Sequence, residues 1–200
     1  MGLASTSLDS TSAFLGGVAV FQTVAAVVNT QHGGKVVLTR ANAIGAMVCT
    51  IATSVYHRMR TATNDEMHDL RHADWVVTCP LMLWEIYTLL GINIREYMMS
   101  FTFSVVAIVA CILLGRVSLE RKGSQRVTLF SLATLVFVAM LTNILFVVPH
   151  WNDEVVVPLC FLGTWVLYPL AFWDRSGTAY NVLDLVSKGV FGLYVAARVL

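Results

Sequence analysis

Seven stretches of about 20 mostly apolar residues are separated only by short polar connections, at 11–30, 36–59, 70–92, 96–115, 127–148, 155–173 and 179–200. That length of helix crosses a hydrocarbon layer about 30 Å thick. Backbone groups inside lipid must bond within their own segment, so each stretch is expected to be a membrane helix. The alternating pattern of outer-membrane strands is absent. Connections such as QHGGK, NIRE and DRSGT carry the Gly, Asn and Asp of turns, and their brevity makes sequential helices antiparallel neighbours. The expected fold is an all-α membrane protein, a seven-transmembrane-helix bundle spanning residues 1–200 as one unit, with its termini on opposite faces. Composition agrees: 57% of residues are hydrophobic and 12% charged, against about 25% charged in soluble domains.

Several classes fall away at once. A net charge of +1 without a basic run or acidic tail excludes nucleic acid as a partner; the expected partner is the lipid bilayer. The N-terminal MGLASTSLDSTSAF lacks the positive start of a secretory signal. Cys49, Cys79, Cys111 and Cys160 stand one per apolar stretch without CxxC spacing, as free thiols, and no metal site is expected. The protein is expected in a plasma or host membrane as a multi-pass integral protein.

Charges inside the apolar stretches are costly and mark function. The last stretch carries Asp184 and Lys188, at i and i+4 on one helix face. A buried lysine is a natural Schiff-base former with an aldehyde, and the resulting cation needs counterions, which Asp184 and Asp74 can supply. Taken alone, the pair also fits a structural ion pair. In the third stretch Arg71, Asp74, Thr78, Met82 and Glu85 share one stripe. Asp74 and Glu85 lie about 16 Å apart along a helix axis, too far to share a proton and suited to two stations on a proton path. Trp165, Tyr168 and Phe172 form an aromatic wall at i, i+3 and i+7, Trp75 adds another ring, and Pro80 and Pro169 are expected to bend their helices. Together these describe an apolar slot closed at one end by a charged imine. His57, His68 and His72 are expected near a surface, solvated, with one of them as a candidate partner tuning Asp74.

RHADWVVTCPLMLWE and WVLYPLAFW with DLVSK resemble the third, sixth and seventh helices of the microbial (type 1) rhodopsins, and most closely the proteorhodopsin-like light-driven proton pumps. The short connections are similar to those of small marine or viral members. The resemblance implies retinal bound covalently as a Schiff base at Lys188, with Asp74 as primary counterion and proton acceptor and Asp184 as second counterion. It implies that Arg71 biases the outward exit and that Thr78 hydrogen-bonds Asp74. Glu85 stands at the cytoplasmic proton-donor position, and Tyr56 resembles the tyrosine near the counterion. Trp75, Cys79, Met82, Trp165, Tyr168, Pro169 and Phe172 would line the retinal site. The resemblance further implies a transporter rather than an enzyme, acting on protons, and a homo-oligomer, trimer or pentamer.

Some positions depart from the best-known pumps. Phe172 stands where a tryptophan is usual, and Cys79 replaces a threonine as in channelrhodopsins; the DRSGT connection lacks the paired glutamates of a release cluster. Asp65, Glu66, His68, Asp69 and His72 remain as candidate release groups. A light-gated channel, motivated by Cys79, and a photosensor signalling through a partner are the alternatives. Glu85 near a helix end also fits an interfacial carboxylate that snorkels. With the N-terminus outside, as in the family, the outer connections hold Arg58, Arg60, Arg116, Arg121, Lys122, Arg126 and Arg175, and the inner side Lys35, Arg40, Arg95 and Arg198. The positive-inside rule favours the opposite insertion; the motif carries more weight here.

Overall fold

A computed structural model describes residues 3–148, 153–172 and 177–200. Its helices are α1 (Leu3–Gln31), α2 (Val36–Met59), α3 (Asn64–Leu89), α4 (Met98–Leu119), α5 (Gly123–Val147), α6 (Asp153–Thr164), α7 (Leu167–Ala171), α8 (Thr178–Asp184) and α9 (Phe191–Ala197), with a π-helical segment at Leu185–Val190 between α8 and α9. Among the described residues they form seven rods, because α6 and α7 continue one another and α8 runs through the π segment into α9. Consecutive helices from α1 to α5 pack side by side, and α9 returns to α1 and α2, closing the bundle. Val20, Leu135 and Phe146 point outward and exposed, while Asp74, Glu85, Asp184 and Lys188 are buried inside. Apolar groups outside and ionisable groups inside are what a lipid solvent selects.

Four helices are long and apolar enough to cross a membrane by length and composition, Ser7–Gln31, Val36–Met59, Met98–Leu119 and Gly123–Val147. The third rod is less apolar because it carries Arg71, Asp74 and Glu85. The last two are divided by breaks.

Several helices outrun their apolar stretches. α3 starts at Asn64, not at 70, because Thr63 caps it: the Glu66 amide donates to the Thr63 hydroxyl oxygen at 3.4 Å and the Thr63 amide to the Glu66 carboxylate at 2.8 Å. This capping box satisfies donors that the helix start leaves open. Apolarity marks only the length of helix that meets lipid. Similarly α1 begins at Leu3, α4 extends to Leu119 and α5 starts at Gly123. Trp173, at the end of the sixth apolar stretch, and most of the PHWNDE and DRSGT connections lie outside the described residues.

The sixth rod breaks instead of bending smoothly. Pro169 has no N–H for the Trp165 carbonyl and its ring crowds that group; the Tyr168 amide takes the carbonyl at 3.1 Å, and the Trp165 and Val166 amides reach back only three residues, to Leu162 and Gly163. The seventh rod widens into π geometry around Lys188, where the Phe191 amide reaches back to the Val186 carbonyl. Such bulges interrupt the regular ladder and are frequent at functional sites. The Cys49 thiol approaches the Lys188 carbonyl at 3.8 Å.

Candidate functional site

Lys188 projects from the π segment into the bundle, where its Nζ hydrogen-bonds Asp74 Oδ2 on α3 and stands 3.5 Å from Asp184 Oδ2. All three side chains are buried, so the charges are compensated within the cluster, as burial of ions demands. The two carboxylates are held differently. Asp184 accepts hydrogen bonds from Tyr56 (2.8 Å) and Tyr168 (2.6 Å), and Trp75 Nε1 donates to it at 3.2 and 3.4 Å. Tyr168 also shares a 2.9 Å hydrogen bond with Ser187. Asp74 has no hydrogen-bond partner at Oδ1 among the described residues.

Thr78 does not bond the Asp74 side chain. Its hydroxyl donates to the Asp74 main-chain carbonyl at 2.9 Å, the i−4 bond open to any helical threonine. The expected bond from Thr78 to Asp74 is therefore made at the main chain, which leaves the carboxylate oxygen open.

A mostly apolar cavity of about 760 Å³, its open mouth included, has Lys188 and Asp184 in its wall. Trp75, Cys79 and Met82 of α3 line one side, and Trp165, Tyr168, Pro169 and Phe172 line another. The Trp75 ring meets Tyr168 edge-on at 5.4 Å and Tyr180 at 5.0 Å, and Phe172 stacks on Phe130 at 4.4 Å. The orphaned Asp74 oxygen, a primary amine in the wall and aromatic rings around it fit an elongated apolar aldehyde such as retinal.

Toward the N-terminal end of α3, Arg71 is buried and donates to Asn181 Oδ1 at 2.7 Å, with its guanidinium over the Tyr180 ring at 5.5 Å. Gly177, at a positive φ of 70°, starts α8 beside it; a β-carbon there would lie 3.1 Å from the guanidinium. A second, polar cavity joins Arg71 to Asp65, His68 and Asn181. Of the five candidate release groups it gathers Asp65 and His68. Glu66 is engaged in the capping box and Asp69 pairs with Arg116 at 2.6 Å. Burial and the nearby Arg71 and Arg116 hold His68 below the ordinary histidine range, hence neutral at pH 7.

His72 is not solvated, contrary to the sequence expectation. It is buried against Trp75, with ring centroids 5.2 Å apart and Nδ1 2.7 Å from the His68 carbonyl, and it lines the apolar cavity. Helix α3 already starts at Asn64, about two turns before His72, and carries it inside the bundle. His57 is exposed.

Glu85 is also buried, at 2% exposure, so it is not the interfacial carboxylate that its place near a helix end allowed. Its Oε1 has no hydrogen-bond partner among the described residues. Sequence reasoning missed Cys111, Phe130 and Phe137 in the cavity wall; the spacing of Phe130 and Phe137, i and i+7 on one face, was the available signal. It also missed Asn181 beside Arg71, which as a polar residue one turn before Asp184 was detectable.

A family model described as bacteriorhodopsin-like protein matches residues 7–199. No match is found among curated protein sequences. Similar solved structures include the light-driven proton pump rhodopsin of Coccomyxa subellipsoidea, at 21% identity and TM-score 0.78, covering 98% of this chain and 97% of the other. The viral rhodopsin OLPVRII is similar at 18% identity and TM-score 0.83, with 98% and 97% covered. A thermophilic rhodopsin of Rubrobacter xylanophilus follows at 18% and 0.82, with 98% and 96% covered. At such identities these likenesses speak for the fold.

Proposed function

The chain belongs to the bacteriorhodopsin-like family, and on that premise we propose that it is a retinal-binding, light-driven proton pump of proteorhodopsin-like type, moving protons outward. The observation that carries this reading is Lys188 Nζ held between Asp74 and Asp184 in the wall of an apolar, aromatic-lined cavity. Bound covalently at Lys188, retinal supplies visible-light absorption and a photoisomerisation that reorients the Nζ–H bond.

The chain's residues then divide the proton work. Asp74 takes the proton from Lys188 Nζ, since it touches Nζ and has an oxygen without another donor. Asp184 keeps its charge, stabilised by Tyr56, Tyr168 and Trp75. Charge-assisted hydrogen bonds are about twice as strong as neutral ones, so this carboxylate is the steady member of the pair. Arg71, Asp65 and His68 offer an outward exit through the polar cavity. Glu85, on the same stripe of α3 toward the other surface, returns a proton to Nζ. Residues 1–200 act as one unit, N-terminus outside, assembled as a trimer or pentamer.

The test is expression with added retinal and illumination of unbuffered cells, with and without a protonophore. Expected are a visible absorption band and acidification of the medium that the protonophore abolishes. A missing band overturns the retinal assignment; photocurrent that reverses with applied voltage replaces the pump by a channel; alkalinisation of the medium reverses the direction.

A further inference from the structure

Glu85 lies beside a side chain from a helix that contributes nothing else to the proton path. Gln22 of α1 is fully buried, and neither its Nε2 nor its Oε1 has a hydrogen-bond partner among the described residues. A buried amide left unpaired costs about 1–3 kcal/mol, and a long polar residue on an otherwise apolar membrane helix is not there for packing alone. Two glycines make room for it. A β-carbon at Gly45 of α2 would collide with Gln22 Nε2 and stand 2.8 Å from Glu85 Oε1; one at Gly192 of α9 would stand 2.9 Å from both Gln22 Cδ and Oε1.

Gln22 Nε2 and Glu85 Oε1 therefore converge on the same point above the Gly45 backbone. They are near enough for a direct hydrogen bond after a small side-chain rotation, or for one bridging water, which needs two or more polar partners. Other buried amides of the bundle differ: Asn42, three residues before Gly45, spends its Nδ2 on the Leu38 and Val195 carbonyls at 2.9 and 3.4 Å.

We propose that Gln22 is the positioning residue of Glu85, reaching from α1 through the slot opened by Gly45 and Gly192 to hydrogen-bond its carboxyl group directly or through one water. An amide offers a donor and an acceptor. It donates N–H to either carboxyl oxygen and accepts the O–H of the neutral acid, so one side chain holds Glu85 both before and after it gives up its proton. The slot is specific: any side chain at 45 or 192 would occupy the place of the amide.

This inference rests on Glu85 being the proton donor for its kinetic consequence, but not for its spectroscopic one. The experiment is light-minus-dark infrared spectroscopy of the retinal-loaded protein, with Glu85→Gln identifying the carbonyl stretch of Glu85. In Gln22→Met, of similar volume and without the amide, that band is expected to move to higher frequency, and recovery of the photocycle to slow by about two- to tenfold, the worth of one hydrogen bond. Gln22→Asn, which withdraws the amide by one methylene, is expected to move the band in the same direction and decides the matter if Gln22→Met yields no pigment. An unmoved Glu85 band in a folded variant overturns the assignment of Gln22. Recovery unchanged in Glu85→Gln overturns the donor role instead, whatever Gln22 does to the band.

Discussion

The two halves of the bundle treat their buried carboxyl groups in opposite ways. Around Lys188, Asp184 collects three side-chain donors besides the amine, while Asp74 Oδ1 and, one turn before it, Arg71 Nε lack partners among the described residues. Around Glu85 the reverse holds: Glu85 Oε1, both polar atoms of Gln22 and Asn42 Oδ1 lack partners among the described residues. A site dense in donors is built to keep charge, since each donor stabilises the ionised form. A buried site with few donors suits a group that is neutral at rest and charged only in passing. Under the proposed function, the difference gives permanence of charge to one half and transience to the other, as a one-way proton path requires of its two ends.

The strongest attack on that contrast removes the amine. Lys188→Ala leaves Asp74 and Asp184 facing each other without their buried cation, and stranding part of a buried ionic group costs about 3–5 kcal/mol. The visible band is expected to vanish and the thermal unfolding midpoint to fall. A retained band would overturn the covalent site; an unchanged midpoint would show that the charges are not balanced within the cluster.

The next attack compares the two carboxylates. Asp74→Asn is expected to stop transport, by about 100-fold or more as for loss of a proton-transfer group, and to shift the band to the red, while the fold survives. Asp184→Asn takes the acceptor from Tyr56, Tyr168 and Trp75 together, at about 1.5–3 kcal/mol for each charge-assisted bond weakened. Its first effect is expected on pigment yield and melting. Equal stability of the two variants would erase the distinction between a steady and a working carboxylate.

In the half around Glu85 the expected ranking of effects inverts. Glu85→Gln keeps the size of the side chain and a carbonyl oxygen for Gln22 to bond, so stability is expected to stay within about 1 kcal/mol while photocycle recovery slows by about 100-fold. Time-resolved absorbance and a melting curve on one sample read both. A variant that melts early but cycles normally would make Glu85 structural.

Most of the working site was legible because lipid makes ionisable residues rare, so Arg71, Asp74, Glu85, Asp184 and Lys188 stand out of an apolar text, and helical spacing puts them on two faces. Less legible was anything that depends on which helices touch. Gln22 is an unremarked glutamine until Gly45 and Gly192 bring α2 and α9 against it. Cavity-lining Ile108 and Ile112 look like any lipid-facing residue. The break at Trp165 follows from Pro169 once the missing N–H is considered, but the π segment at Lys188 has no proline or glycine run to announce it. The resemblance implied a hydrogen bond from Thr78 to Asp74 without saying which oxygen receives it, and the main-chain carbonyl does.

The smallest expected effect lies where neither half reaches, at the polar start of α3. The Thr63 amide and hydroxyl donate to the Glu66 carboxylate at 2.8 and 2.9 Å, and these bonds hold Glu66 below the ordinary carboxylate range. A carboxyl group lowered on folding adds stability that is present above its unfolded value and lost as the pH falls through its lowered folded value. This contribution should therefore be intact at pH 7 and disappear on acidification. Thr63→Ala is expected to lower the melting midpoint slightly at pH 7, with the gap to the parent protein closing in acid, and to leave the visible band unmoved. Because this turn carries Asp65 and His68 into the polar cavity, a change in the timing of proton release in Thr63→Ala, with the band unchanged, would tie the capping box to the exit and not merely to the helix.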